Sequence, residues 1–339
     1  MRRELREDNV VSVLEELGVV PAGVPTGVRS LSGGVANTVL AVAWPAGEVV
    51  VKQALPKLRV RADWAFDPAR SKVERDALAV LGRLLPAGSV PDVVAYHETD
   101  DVLVMTHAPA GGVTWKAPLL AGDADAGVAA QVGTLLGLTH RQAADDDAAR
   151  ACFADIWPLV QGRVDPFHRV VAERHPDLRA TILDEVDRLL ATRTTLVLGD
   201  CSPKNVIAYP DRVMLIDLEV AHWGDPAFDV AFMLAHLTLK ARRRPEASAP
   251  LRACADAFVD AHAAAAGTRR PPDGAIVAEL GCLLLSRVDG KSPVEYLTHV
   301  DGDAVRSAAR ALLLERPAPL SRALDLAFAA MRQQPSDSR

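Results

Sequence analysis

The chain has 339 residues, of which 49% are apolar and 24% charged, a globular balance that excludes wholesale disorder and collagen-like repetition. Lysine and arginine total 38 against 44 aspartate and glutamate, a net charge of −6, the reverse of what phosphate neutralisation on nucleic acid requires. No run approaches the roughly 18 apolar residues of a membrane span, and the length suits a two-lobed body with a large core.

The start, Met1-Arg2-Arg3-Glu4-Leu5-Arg6-Glu7-Asp8, lacks the apolar segment of a secretory leader, so a cytoplasmic location is expected. Residues 28–52, VRSLSGGVANTVLAVAWPAGEVVVK, alternate apolar positions around Gly and Pro punctuation and predict three strands joined by turns. From Asp67 to Leu85 the apolar spacing becomes helical, through Ala77, Leu78, Leu81, Leu84 and Leu85. Two further strands are predicted over 90–97 and 102–107, followed by the small-residue break Ala108-Pro109-Ala110-Gly111-Gly112. A strand-rich lobe over 1–107 is therefore expected to precede a helical lobe over 108–334, with a frayed tail at 335–339.

In the second lobe helices are expected over 124–142 and 165–191, then short strands at 195–199 and 212–218, then helix to about residue 332. Cys152, Cys201, Cys254 and Cys282 stand far apart with no Cys-x-x-Cys pair, so free thiols are expected, three of them in the core. The fold class is α+β.

The chemistry concentrates in residues 196–234, LVLGDCSPKNVIAYPDRVMLIDLEVAHWGDPAFDVAFML. Phosphoryl transfer to a hydroxyl needs an acceptor for the hydroxyl proton and oxygen ligands for Mg²⁺. Asp200, Asn205 and Asp217 supply that set in the kinase order, with Asp200 as base and Asn205 and Asp217 as metal ligands. Taken singly, Asp200 and Asn205 would be ordinary turn residues. The combination with Gly224-Asp225-Pro226 and Asp229 is specific.

This segment resembles the aminoglycoside phosphotransferase and choline kinase superfamily, whose catalytic loop reads His-Gly-Asp-x-x-x-x-Asn and whose metal-binding strand is followed by Gly-Asp-Pro-x-x-Asp. The resemblance implies a two-lobed protein-kinase-like fold, ATP and Mg²⁺ as cofactors, and Asp229 as the carboxylate that braces the catalytic loop. Leu198 departs from it, standing where the family has His. On the same template Lys52, ending VVVK, would meet the α- and β-phosphates, and Glu74 on the next helix would pair with it. Gly33 and Gly34 join two strands where a loop would cover the triphosphate, although a plain hairpin turn fits them equally well. Met105 and His107 fall in the segment expected to form the edge strand and hinge beside adenine.

A narrower resemblance, to the methylthioribose kinase branch, runs through VVVKQALPKLRVRADWAFDPARSKVERDAL (49–78), including Trp64, Arg70 and Glu74, and again through TWKAPLLAG (114–122). The chain departs from that branch at Asp217-Leu218-Glu219, where the branch has Asp-Pro-Glu. Glu219 is a candidate to touch metal or acceptor, with plain solvent exposure as the alternative. Arg287 and Lys291 stand in SRVDGKSPVEYL (286–297), either facing the cleft or as solvated helix-end charge.

The expected activity is transfer of the γ-phosphoryl group of ATP to a hydroxyl of a small sugar-containing acceptor, neutral or anionic, such as a ribosyl compound or nucleoside, including a nucleoside antibiotic. An aminoglycoside O-phosphotransferase is the alternative acceptor class. A non-catalytic nucleotide-binding regulator is the alternative of another kind, and neither nucleic acid nor membrane is expected as partner. A protein kinase is disfavoured because the Ala-Pro-Glu segment is missing.

Overall fold

The computed structural model describes residues 2–31, 35–60, 62–297 and 301–332. Its strand-rich part follows from β-branched runs that favour a pleated, half-buried surface. Strands β1 (Gly27–Ser30), β2 (Asn37–Trp44), β3 (Gly47–Ala54), β4 (Val93–His97) and β5 (Val102–Thr106) form one antiparallel sheet in the order β1-β2-β3-β5-β4. Pro45 and Ala46 alone separate Trp44 from its cross-strand partner Gly47.

The two faces of this sheet bury different neighbours. Val49 and Val51 join Leu40, Val42, Val102 and Val104 under the N-terminal residues Leu5, Val10, Val13 and Leu14. Val50 faces the other way, in one core with Leu103, Met105 and the Ala77, Leu78 and Leu81 stripe of the helix Arg70–Leu84. Because side chains alternate along a strand, Lys52 shares the face of Val50 and points toward that helix. That alternation places a cation inside the molecule.

The remainder is mainly helical. Helices Ala126–Ala143 and Ser248–Ala266 approach so closely that a Cβ on Gly137 would stand 2.6 Å from the His262 carbonyl oxygen. Helix Ala227–Arg243 runs through the middle, buried from Ala227 to Arg242, and helix Asp273–Asp289 packs beside it. Short strands punctuate this lobe: β6 (Val113–Thr114), β7 (Thr195–Val197), β8 (Val206–Ala208), β9 (Val213–Leu215) and β10 (His222–Gly224). They form a β7–β10 pair and a sheet ordered β6-β8-β9.

Several expectations change here. The strands expected over 195–199 and 212–218 are shorter, and β8 had no counterpart in the sequence pattern. The single helix expected over 165–191 is instead a π-helical stretch, Val160–Arg169, running on into Val170–Arg174, and then a separate helix Arg179–Ala191. Pro176 accounts for the break, since the residue before a proline disfavours helical geometry. Pro166 lies inside the π-helical stretch, where the altered register accommodates its missing amide donor.

Cys201, Cys254 and Cys282 are buried free thiols and Cys152 is exposed. No helix among the described residues is long and apolar enough to cross a membrane. Gly33, Gly34 and the tail 335–339 lie outside the described residues.

Candidate active site

The strand-rich and helical parts meet at Lys52. Its Nζ lies 2.6 Å from Glu74 Oε2 on the Arg70–Leu84 helix and 2.5 Å from Asp217 Oδ1, two residues beyond β9. Burial alone would strip the Lys52 proton, but Asp217, Glu74 and Glu219 outweigh it and raise the ammonium above the ordinary lysine range. Burial raises the Glu74 carboxyl. It also works against Asp217, yet Lys52, Lys204 and Arg163 together hold that carboxyl below its usual range. Asp217 has φ 64, a left-handed conformation that Asp tolerates better than most L-residues.

Glu219 closes the same cluster, with Oε2 4.0 Å from Lys52 Nζ. That oxygen also accepts from Asn37 Nδ2 at 2.9 Å and Arg70 Nε at 3.2 Å. Solvent exposure, one of the two possibilities for Glu219, is therefore corrected: it is a buried residue gripped by the strand-rich lobe. The carboxylates of Glu74, Asp217 and Glu219 lie within 4.8 Å of one another, and the Lys52 ammonium with the Arg70 guanidinium offsets two of the three charges.

The second half of the site is the loop after β7. Gly199, at φ 72, could not carry a side chain: a Cβ there would stand 2.7 Å from the Val220 carbonyl oxygen. The Asp229 carboxylate accepts the amides of Leu198 at 2.7 Å and Gly199 at 2.8 Å. His140 Nε2 lies 3.3 Å from Asp229 Oδ2. With Leu198 in place of a histidine, the loop takes its further support from Arg163, whose Nε donates to the Gly199 carbonyl at 2.7 Å.

Asp200 follows, almost fully buried, with Oδ2 3.1 Å from Arg163 Nη2 and 2.9 Å from Lys204 Nζ. Both ion pairs fall on one oxygen. Asn205 donates Nδ2 to the Asp200 carbonyl at 3.0 Å, which leaves Oδ1 as its remaining donor atom. Asn205 Oδ1 and the Asp217 carboxylate are hard oxygen donors on adjoining loops, the type of set that suits Mg²⁺. The fit of residues to cation is good.

Met105 is buried in β5 opposite Val50. The His107 imidazole lies 3.0 Å from Arg29 and 3.7 Å from Glu48. Arg287 stacks its guanidinium 5.5 Å from the Phe167 ring centroid, and burial lowers its pKa. Arg287 is half-buried and packed on an aromatic ring, which differs from the freely solvated helix-end charge offered as its alternative. Lys291 instead donates Nζ to the Asp63 carbonyl at 2.9 Å, bridging to the loop before Trp64. Trp64 in turn donates Nε1 to the Gln161 carbonyl at 3.0 Å. Arg163, Lys204 and Asn37 had no signal in the sequence pattern, since an isolated cation or amide carries no periodicity.

Comparison with known proteins bears on the family and the fold. A profile of the phosphotransferase enzyme family matches residues 27–280. A methylthioribose kinase of Geobacillus sp. (strain WCH70) is 25% identical over 270 residues, covering 71% of this chain and 67% of that protein. A 4-hydroxytryptamine kinase of Psilocybe cyanescens is 25% identical over 256 residues, covering 64% of this chain and 69% of that one. Among solved structures, an amicoumacin kinase in complex with AMP-PNP, Ca²⁺ and Ami superimposes with a TM-score of 0.51 at 13% identity, covering 92% of this chain and 95% of that chain. At that identity the likeness is one of fold, the two-lobed protein-kinase-like fold. A match over three quarters of the length, on a fold of this kind, makes the chain a member of the phosphotransferase enzyme family, a small-molecule kinase that uses an alcohol group as acceptor.

Proposed function

We propose that the chain transfers the γ-phosphoryl group of ATP, with Mg²⁺, to a hydroxyl of a small sugar-containing acceptor, and that its lobes divide at 107/108 around the nucleotide. The observation that carries this reading is the 2.5 Å approach of Lys52 Nζ to Asp217 Oδ1, which sets a phosphate-seeking cation against a metal-type carboxylate. The amicoumacin kinase of the same fold is a complex with AMP-PNP, which supports ATP as donor.

In this reading Lys52, positioned by Glu74, binds the α- and β-phosphates, and the backbone around Met105 and His107 borders the adenine. Asn205 and Asp217 hold Mg²⁺, which when bound neutralises charge on the transferring phosphate. Asp200 accepts the proton of the acceptor hydroxyl as that oxygen bonds to the γ-phosphorus. The bond from the γ-phosphorus to the bridging oxygen breaks, and ADP leaves with that oxygen. Arg163 and Lys204 orient Asp200 through Oδ2, so Oδ1 is the oxygen open to the hydroxyl.

A coupled ADP-release assay over methylthioribose, nucleosides, nucleoside antibiotics and aminoglycosides tests the activity, with calorimetric ATP titration with and without Mg²⁺. Turnover of a sugar-type acceptor together with Mg²⁺-dependent binding is the expected result. Equal ATP affinity without the metal overturns the metal assignment, and absence of nucleotide binding overturns the kinase reading in favour of none of these cofactors.

A further inference from the structure

Next to the Asp200 loop the helical lobe buries more positive charge than the phosphoryl-transfer residues account for. Arg163 and Arg287 both lie against the Phe167 ring, their Cζ atoms 5.3 and 5.5 Å from its centroid. Phe167 stacks on Phe232 at 6.4 Å, and His236 meets Phe232 edge-on at 5.0 Å. One helical turn further, Lys240 Nζ lies 5.4 Å from the Tyr296 ring centroid. These side chains make one row leading away from Asp200.

The charges along the row do not cancel. Arg163 is paired with Asp200, and Lys116 with Glu295. Among the described residues no carboxylate forms an ion pair with Arg287 or Lys240. Lys240 is 1% exposed, and its Nζ reaches only the His236 carbonyl at 3.5 Å, the outer limit of a hydrogen bond. Arg287 Nε, His236 Nε2 and Tyr296 Oη are buried without a partner. Buried polar groups are normally satisfied, and a guanidinium cannot shed its charge to escape the cost. Arg287, Lys240 and Tyr296 are all hydrogen-bond donors, which is what an oxyanion requires.

We propose that this row is an acceptor subsite for an anionic oxo group, a carboxylate or a phosphate, so that the hydroxyl phosphorylated at Asp200 belongs to an acid. The proposal rests on the kinase reading above and narrows its substrate class. It disfavours cationic acceptors, because a further positive charge beside the Arg287 guanidinium would be repelled in a poorly hydrated setting.

The test has two arms. In the first, ADP release is measured on matched acceptors: glucose against glucuronate and glucose 6-phosphate, ribose against ribose 5-phosphate, with 4-hydroxytryptamine and kanamycin as cations. The expected result is a kcat/KM at least about tenfold higher for an anionic member than for its neutral parent, with Arg287→Gln raising the acceptor KM about tenfold and leaving the ATP KM unchanged. The carboxylate and phosphate members distinguish the two sources of the anion. A neutral or cationic compound used as well as its anionic congener, or an unchanged acceptor KM in Arg287→Gln, overturns the proposal.

The second arm needs no substrate. With ADP and Mg²⁺ saturating, malonate and inorganic phosphate are compared with a neutral-ligand control at equal ionic strength, reading thermal stability. Stabilisation of the wild type that is lost in Arg287→Gln/Lys240→Met supports the subsite, and no difference between the two proteins overturns it. Calorimetric ADP binding by the double variant shows that it is folded. Loss of nucleotide binding by the wild type would instead count against the kinase reading itself.

Discussion

Arg70 Nε and Glu219 Oε2 meet 3.2 Å apart in the interior, tying the helix after the first hairpins to the residue two past Asp217. Arg70 spends its other donors on four carbonyls: Phe66 at 2.7 Å, Asp67 at 3.1 Å, Ala36 at 2.6 Å and Leu55 at 2.8 Å. One guanidinium thus closes the loops on either side of β2 and β3 and points them at the Asp217 segment. Glu219→Ala would leave that guanidinium buried with no carboxylate to offset its charge, and is expected to cost about 3–5 kcal/mol of stability. Urea denaturation measures it, and a loss below about 1 kcal/mol would remove Glu219 from this structural role.

Lys52 is the point where the two lobes share charge, so its removal should be felt by the nucleotide rather than by the acceptor. In Lys52→Met, Glu74 and Asp217 face each other without the cation between them, and the phosphates lose a charge-assisted contact. The ATP KM is expected to rise about tenfold or more, with the acceptor KM little changed. Unaltered ATP kinetics would remove Lys52 from the nucleotide site.

Which parts of this site were legible in the sequence follows from the physics of each signal. Lys52 and Asp217 end β-branched runs, and Asp200, Asn205, Gly224-Asp225-Pro226 and Asp229 hold a spacing that few other tasks demand. Their neighbourhood was therefore readable. The position of Glu219 was not, because Asn37 and Arg70 reach it from 182 and 149 residues away. Arg163 was hidden for a different reason: Pro166 interrupts the apolar period, so the helix was expected to begin only at 165, past the residue that supports Gly199 and Asp200. β8, at three residues, is too short for a period of two to declare itself.

Arg163 and Asp200 should separate kinetically. Asp200→Asn keeps the size of the side chain and removes the proton acceptor, so turnover is expected to fall about 10²–10⁴-fold with the ATP KM nearly unchanged. Arg163 acts through Asp200 and the Gly199 carbonyl, which makes it a positioning residue. Arg163→Met is expected to lower kcat with both KM values little changed, and Arg163→Lys to restore part of it. A near-normal kcat in Asp200→Asn would move the proton acceptor elsewhere, and a near-normal kcat in Arg163→Met, or no rescue in Arg163→Lys, would remove Arg163 from its positioning role.

The last expectation concerns pH. Burial, with Lys116 and Arg287 nearby, depresses Lys240 from 10.5 to about 7, against a smaller opposing pull from Glu295. Between about pH 7 and 10.5 the unfolded chain therefore holds a proton at this site that the folded protein has released. More protons bound by the unfolded state means that unfolding free energy rises with pH across that window, and that the cost of the buried ammonium is borne in full below it. Lys240→Met abolishes the titration while keeping an unbranched side chain one atom shorter. The variant is expected to be more stable than the wild type near pH 7, by an advantage that shrinks steadily as pH climbs toward 10.5. Urea denaturation at pH 7, 8, 9 and 10 in both proteins gives the comparison. A stability difference that stays constant over that range would show that Lys240 is not a depressed buried cation, and that some partner holds its charge at neutral pH.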